Sequence, residues 1–131
     1  LIKYAGNIYF ARKVNWANAL ASVAEKLGAD YENVRKAMSA DHRIGDSHLD
    51  VRHGGYRGFG GYCLPKDLDA FIEFANHATL GEVAAMLSAD RAFNEQLLKT
   101  QGLSLEEVSM HDHALTKKLQ EKNGEKNGTL S

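Results

Sequence analysis

The chain has 131 residues, the size of one ordinary domain and too short for two. Hydrophobic residues make up 44% and charged residues 25%, enough apolar material for a core, while a net charge of -1 offers no basic excess for binding nucleic acid. No apolar run approaches the roughly 20 residues of a membrane span and no signal-peptide pattern opens the sequence, so it reads as cytoplasmic and free of membrane. Its single cysteine excludes an internal disulfide and a cysteine-rich zinc site.

In chain order, Ile2, Ala5, Tyr9, Trp16, Leu20, Val23 and Leu27 recur at helical spacing, with Gly28 where a C-terminal cap belongs. That spacing predicts one helix over most of residues 1–27, about 40 Å long. Such length and the missing start signal read as a cut through a longer protein. Asp30 is placed to cap a short helix from Tyr31 to about Met38. Periodicity then stops from 41 to 62, where five glycines fall between Gly54 and Gly61. A loop of that length inside a compact domain is either functional or disordered. Helical pattern resumes at Leu64 and runs to about His77, with Leu68, Phe71, Ile72 and Ala75 on one face. Thr79-Leu-Gly-Glu82 and Ser104-Leu-Glu-Glu107 are capping boxes, opening a helix to about Thr100 and a shorter one that fades near Leu119. No alternating run makes a strand, so the class is all-α. The last segment, 117–131, is polar, repeats Glu-Lys-Asn-Gly, and reads as a frayed tail.

The strongest chemical signal is Gly58-Phe-Gly-Gly-Tyr-Cys-Leu-Pro-Lys-Asp67. Pro65 suits the first turn of a helix, Asp67 is expected in that same turn, and Cys63 falls at or just before the N-cap. Unpaired N–H groups and the helix dipole there favour a thiolate, and a carboxylate four residues on can serve it as a base. The plainer alternative is a cysteine buried as a small hydrophobe. Lys3 and Asn7, also four apart, share a helix face and suit a developing oxyanion, against the plainer reading of a solvated face. Arg43 in Asp41-His-Arg-Ile-Gly45 could grip a phosphate with both arms. His42, His48 and His53 alternate with carboxylates but match no metal-ligand spacing, and His111-Asp-His113 reads as a polar turn.

Taken together, Lys3-Tyr-x-x-Asn7, Asn18, Asp41-x-Arg-Ile-Gly45 and Gly60-Gly-Tyr-Cys-Leu-Pro-Lys-Asp67 resemble the UDP-glucose/GDP-mannose dehydrogenase family, over residues 1 to about 100. The match is to the family's helical central domain, like the C-terminal domain of 6-phosphogluconate dehydrogenase, with a domain at 1–103 and a short helix and tail at 104–131. The resemblance implies a two-step NAD-dependent oxidation of a nucleotide sugar, UDP-glucose before GDP-mannose or UDP-N-acetylmannosamine, through a thiohemiacetal and thioester on Cys63. It implies that Asp67 and Lys3 move protons and steady an oxyanion, and that Asn7 positions water or substrate. Lys3, Asn7, Arg43, His48, Leu49, Phe59 and Gly60 would contact the nucleotide sugar, Arg43 from across a homodimer built on the first helix. Cys63 and Lys66 would lie near the nicotinamide.

Ala19 follows Asn18 where the family commonly has Glu, His48 replaces a common aromatic ring, and the loop from 48 to 60 is longer than in the shortest members. No βαβ unit or glycine fingerprint is present, so the dinucleotide site is expected outside these residues and the isolated chain is expected to be inert. The alternative class is a helical dimerisation or sugar-nucleotide-binding module without chemistry.

Overall fold

A computed structural model describes residues 1–109, 119–121 and 124. Its elements are α1 (Ile2–Leu27), α2 (Tyr31–Ser39), α3 (Cys63–His77), α4 (Gly81–Thr100) and α5 (Leu105–Ser109), so the described residues are all-α. The repeated Glu-Lys-Asn-Gly segment and His111-Asp-His113 lie outside the described residues, apart from Glu121 and Gly124.

The helix ends follow local chemistry. Gly28 takes φ 70°, and the N–H of Ala29 reaches back to the Ala24 carbonyl at 2.8 Å, closing α1. Asp30 accepts the Glu32 N–H at 3.0 Å and opens α2. The two expected capping boxes part ways. Ser104 and Glu107 bond each other's backbone N–H at 3.2 and 2.9 Å, forming the reciprocal box at α5. Thr79 does not cap α4. It sits at φ 59°, its hydroxyl donates to the Ala78 carbonyl at 2.7 Å, and α4 starts after Leu80 without a side-chain cap. Thr79 is spent on ending α3, where the Leu80 N–H returns to the Ala75 carbonyl.

α3 and α4 form an antiparallel-type hairpin joined by three residues, and α1 packs across α3. One core cluster joins Ile8 and Ala11 of α1 to Phe59, Leu68, Ile72 and Leu87. A second sets Ala17, Ala21 and Ala24 against Tyr31, Leu49 and Val51, and a third holds Leu98, Leu103 and Val108.

α1 presents a different face to the core from the one its periodicity suggests. Of the apolar residues whose spacing predicts the helix, Ile2, Tyr9, Trp16, Val23 and Leu27 are exposed. The buried face is Ile8, Ala11, Asn15, Ala17, Asn18, Ala21 and Ala24. Small side chains are needed there because α3 and the 41–62 loop come close to the α1 backbone, and the two asparagines serve polar partners. The open stripe is therefore apolar and the closed one partly polar.

The 41–62 loop is ordered by side chains that take up its backbone and charges. Tyr31 donates its hydroxyl to the Leu49 carbonyl at 2.7 Å, and that burial raises the Tyr31 pKa. Arg35 grips Asp46 with two nitrogens at 3.0 and 3.1 Å. Arg57 fastens the loop to α1, donating to the Asn18 side chain at 3.1 Å, its carbonyl at 2.8 Å and the Ser22 hydroxyl at 3.0 Å.

Candidate functional site

α3 begins at Cys63, with Tyr62 as its N-cap and no side-chain cap. Cys63 is thus the first helical residue rather than one at or before the cap, and Asp67 falls beyond the first turn, where no acidic residue is found. Asp67 shares the inward face of α3 with Leu64, Leu68 and Phe71. Asp67 is 1% exposed and accepts a hydrogen bond from the Asn7 side-chain amide at 2.6 Å. The bond joins α1 to α3 across 60 residues of sequence and unites two of the three motifs. Cys63, one helical turn before Asp67, is exposed, so it does not serve as a buried hydrophobe. Lys3 is exposed one turn before Asn7. Lys66 is exposed too, its ammonium 4.8 Å from the centre of the Tyr62 ring.

A cavity of about 380 Å³ is lined by His48, His53, Tyr56, Phe59, Gly60 and Leu64 among others. Leu64, the residue after Cys63, belongs to that lining, whereas Cys63, Lys3, Asn7 and Asp67 do not. Gly60 admits no side chain, because a Cβ there would stand 2.6 Å from both the Val108 carbonyl oxygen and a Val108 methyl. His48 stacks flat on Phe10, with ring centres 4.2 Å apart and planes 8° from parallel, so it fills the place of an aromatic ring. Its own backbone is left-handed, at φ 63°. Burial, helped by the nearby Lys13 and His53, lowers the His48 pKa.

The structure does not bring every candidate to this cavity. Leu49 is 1% exposed and belongs to the core beneath α1. Arg43 lies on a different face, with its guanidinium held by Asp41 at 2.6 Å. It lines an apolar groove of about 670 Å³ with Tyr9, Trp16, Ile44, Met86 and Phe93. On that groove Asn15 donates to the Asp90 carbonyl at 2.8 Å, while Arg12 stands 3.4 Å from the Asp90 carboxylate. Among the described residues no three histidine, cysteine or carboxylate side chains converge in a way that could hold a metal.

Sequence reasoning missed Arg57, Asn94 and Gln101. Asn94 is buried and takes both the N–H and the carbonyl of Phe59, at 2.8 and 2.9 Å. Gln101 does the same for Arg57, at 2.8 and 2.7 Å. For Asn94 alone the sequence held a signal, an asparagine on the face of α4 shared with Leu87 and Leu98, where a polar residue needs a partner that the sequence does not name.

The pattern of the UDP-glucose/GDP-mannose dehydrogenase family, central domain, matches residues 1–96, from the start of α1 to near the end of α4. The chain belongs to this family. UDP-glucose 6-dehydrogenase YwqF of Bacillus subtilis is 39% identical over 77 residues, covering 59% of this chain and 17% of the relative. The UDP-glucose 6-dehydrogenase of Rhizobium meliloti is 43% identical over 75 residues, or 57% of this chain and 16% of the relative. The Drosophila melanogaster enzyme is 38% identical over 85 residues, or 65% and 17%. The matched region thus spans about a sixth of each relative's length. No helix among the described residues is long and apolar enough to cross a membrane.

Proposed function

We propose that this chain carries the substrate-holding and thiol chemistry of a nucleotide-sugar 6-dehydrogenase, oxidising UDP-glucose to UDP-glucuronate in two NAD-dependent steps. The observation that supports it is the Asn7–Asp67 bond, which ties a half-buried amide to a buried carboxylate one turn below the exposed Cys63. A scaffold or a plain binding module needs no such pair beneath a thiol. Similarity to several UDP-glucose 6-dehydrogenases favours that sugar.

In the first oxidation the sugar's primary alcohol becomes an aldehyde. Asp67 and Lys3 manage its hydroxyl proton and the developing alkoxide, while Asn7, fixed by Asp67, orients water or substrate. In the second, the Cys63 thiolate adds to the aldehyde carbon and forms a thiohemiacetal. Loss of hydride from that carbon leaves a thioester, and water displaces the thiol to give the carboxylate. NAD, when bound, supplies the hydride acceptor for both oxidations. Cys63 and Lys66, exposed in the first turn of α3, are the groups this chain offers to it, and their accessibility fits a dinucleotide approaching from outside these helices. His48, Phe59 and Gly60 wall the sugar cavity, with Leu49 as buried footing beneath the loop. Arg43, on the groove face, fits a reach into the site of a second copy paired through α1.

The test is protection of Cys63 from iodoacetamide by UDP-glucose, GDP-mannose and UDP-N-acetylmannosamine in turn. UDP-glucose is expected to slow alkylation several-fold more than the others. Equal rates with and without every sugar nucleotide would sink the assignment. With NAD and UDP-glucose the 131-residue chain alone is expected to form no NADH, whereas the full-length polypeptide turns over and loses turnover in Cys63→Ala. A full-length protein whose turnover survives Cys63→Ala would decide for a module without thiol chemistry.

A further inference from the structure

We propose that Asn94 of α4 and Gln101, which caps the C-terminal end of that helix, are positioning residues, setting the backbone of the cavity wall that precedes Cys63. The proposal deepens the reading above, since the wall gains its meaning from the substrate it would face. The clamp itself is geometric.

Asn94 is 1% exposed, and its amide is fully committed to one residue, accepting from the Phe59 N–H and donating to the Phe59 carbonyl. Gln101 accepts from the Arg57 N–H and donates to the Arg57 carbonyl, and donates also to the Leu97 carbonyl at 2.9 Å. Seven residues are close to two helical turns, so both amides leave the same face of α4. Each does for a loop residue what a neighbouring strand's backbone does in a sheet, pairing one N–H and one C=O together. Between the clamped residues, Gly58 takes φ 109°, and a Cβ there would stand 2.7 Å from the Asn94 side-chain oxygen. The clamp therefore requires glycine at 58, and the glycine brings the backbone within reach of the clamp. On the far side, the Gly61 N–H bonds the Val108 carbonyl at 2.8 Å. Residues 57–61 are thus gripped at three backbone points, ending two residues before Cys63. Phe59 and Gly60 line the cavity from within that grip. Asn94 and Gln101 act on a substrate only through this backbone.

Asn94→Asp separates this role from mere filling. A protonated carboxyl offers one donor and one acceptor, as the amide does, whereas a carboxylate has no donor and turns an oxygen toward the Phe59 carbonyl. Amide exchange at Phe59 and calorimetric affinity for UDP-glucose are measured at pH 5 and pH 8 on the wild-type chain, Asn94→Asp and Asn94→Leu. At pH 8, Asn94→Asp is expected to lose about tenfold in Phe59 protection and a similar factor in affinity. Burial and the facing Phe59 carbonyl raise the pKa of that carboxyl, so at pH 5 both move back toward wild type, and Asn94→Leu stays low at both. Affinity unmoved while exchange rises would overturn the positioning role, as would exchange unmoved at pH 8. A wild-type chain that takes up no UDP-glucose, with the exchange pattern intact, refutes the nucleotide-sugar reading and leaves the clamp standing. Should Asn94→Asp fail to fold, Gln101→Glu puts the same question at the Arg57 amide, where a loss of protection and affinity at pH 8 supports the clamp and unmoved exchange or affinity overturns it.

Discussion

Asp67 shows how a single position turns a motif into a site. Its carboxylate is shut away from solvent and bonded to the Asn7 amide, so Asn7→Leu leaves a buried acceptor without that donor. The expected loss is about 1–3 kcal/mol in urea unfolding, whereas Lys3→Leu, on the exposed face one turn earlier, stays within about 0.5 kcal/mol. His48 carries the pH dependence. Its folded pKa is lowered, first by burial, so its contribution is complete above the unfolded value near 6.5 and is lost as pH falls through the folded value. His48→Asn tolerates the left-handed backbone and does not titrate, so unfolding free energy followed from pH 7.5 to 5 is expected to fall less steeply in the variant. Cys63, Asp67, Lys3 and Asn7 stand out in the sequence through the family resemblance their motifs carry, since residue types and spacings alone leave the plainer readings open. That Asp67 turns inward onto Asn7 is not legible in the sequence, because a carboxylate does not register in apolar periodicity and its partner stands 60 residues away. Asn94 and Gln101 stayed hidden for another reason: their partners are peptide groups, which every residue possesses and no pattern marks.

Among the elements, α1 most separates pattern from placement. Periodicity gave its bounds nearly to the residue, and Gly28 and Asp30 gave the turn that follows. It could not say which face is closed, because alanine and asparagine score as weak core residues and tryptophan as a strong one. Close approach reverses that ranking. Ala21, 3% exposed, is packed in one cluster with Tyr31, Leu49 and Val51, so Ala21→Leu is expected to disturb that packing and cost about 1–3 kcal/mol by thermal or chemical unfolding. The two capping boxes make the same point in miniature. Identical patterns at Thr79 and Ser104 end differently because only Ser104 lies just outside a helix whose predecessor has already been closed by other groups. Ser104→Ala is expected to cost about 1 kcal/mol and to loosen the Gly61–Val108 bond, read as faster exchange at the Gly61 amide.

At the scale of the molecule, the open stripe of α1 and the groove beside it bear on assembly. Trp16 is 58% exposed and Tyr9 59%, beside Met86 and Phe93 of α4, so a continuous apolar surface faces outward. Surfaces of that kind mark contact with another molecule, and the proposed second copy is the occupant that also brings Arg43 toward a neighbouring site. Trp16→Glu is expected to convert a dimer to a monomer in sedimentation while leaving far-UV circular dichroism unchanged; a wild-type chain that sediments as a monomer at every concentration would remove the pairing. α1 has one more consequence, a metrical one. Asn7 meets Asp67 and Asn18 meets Arg57, and the step of eleven residues from one to the other makes just over three turns, about 16 Å along one side of a rod. The helix is therefore a ruler with two fixed marks. One residue inserted between the marks turns one of them through about 100° and parts it from its partner. One inserted beyond Glu25 disturbs neither, so length variation in this helix should be tolerated only outside the graduated stretch.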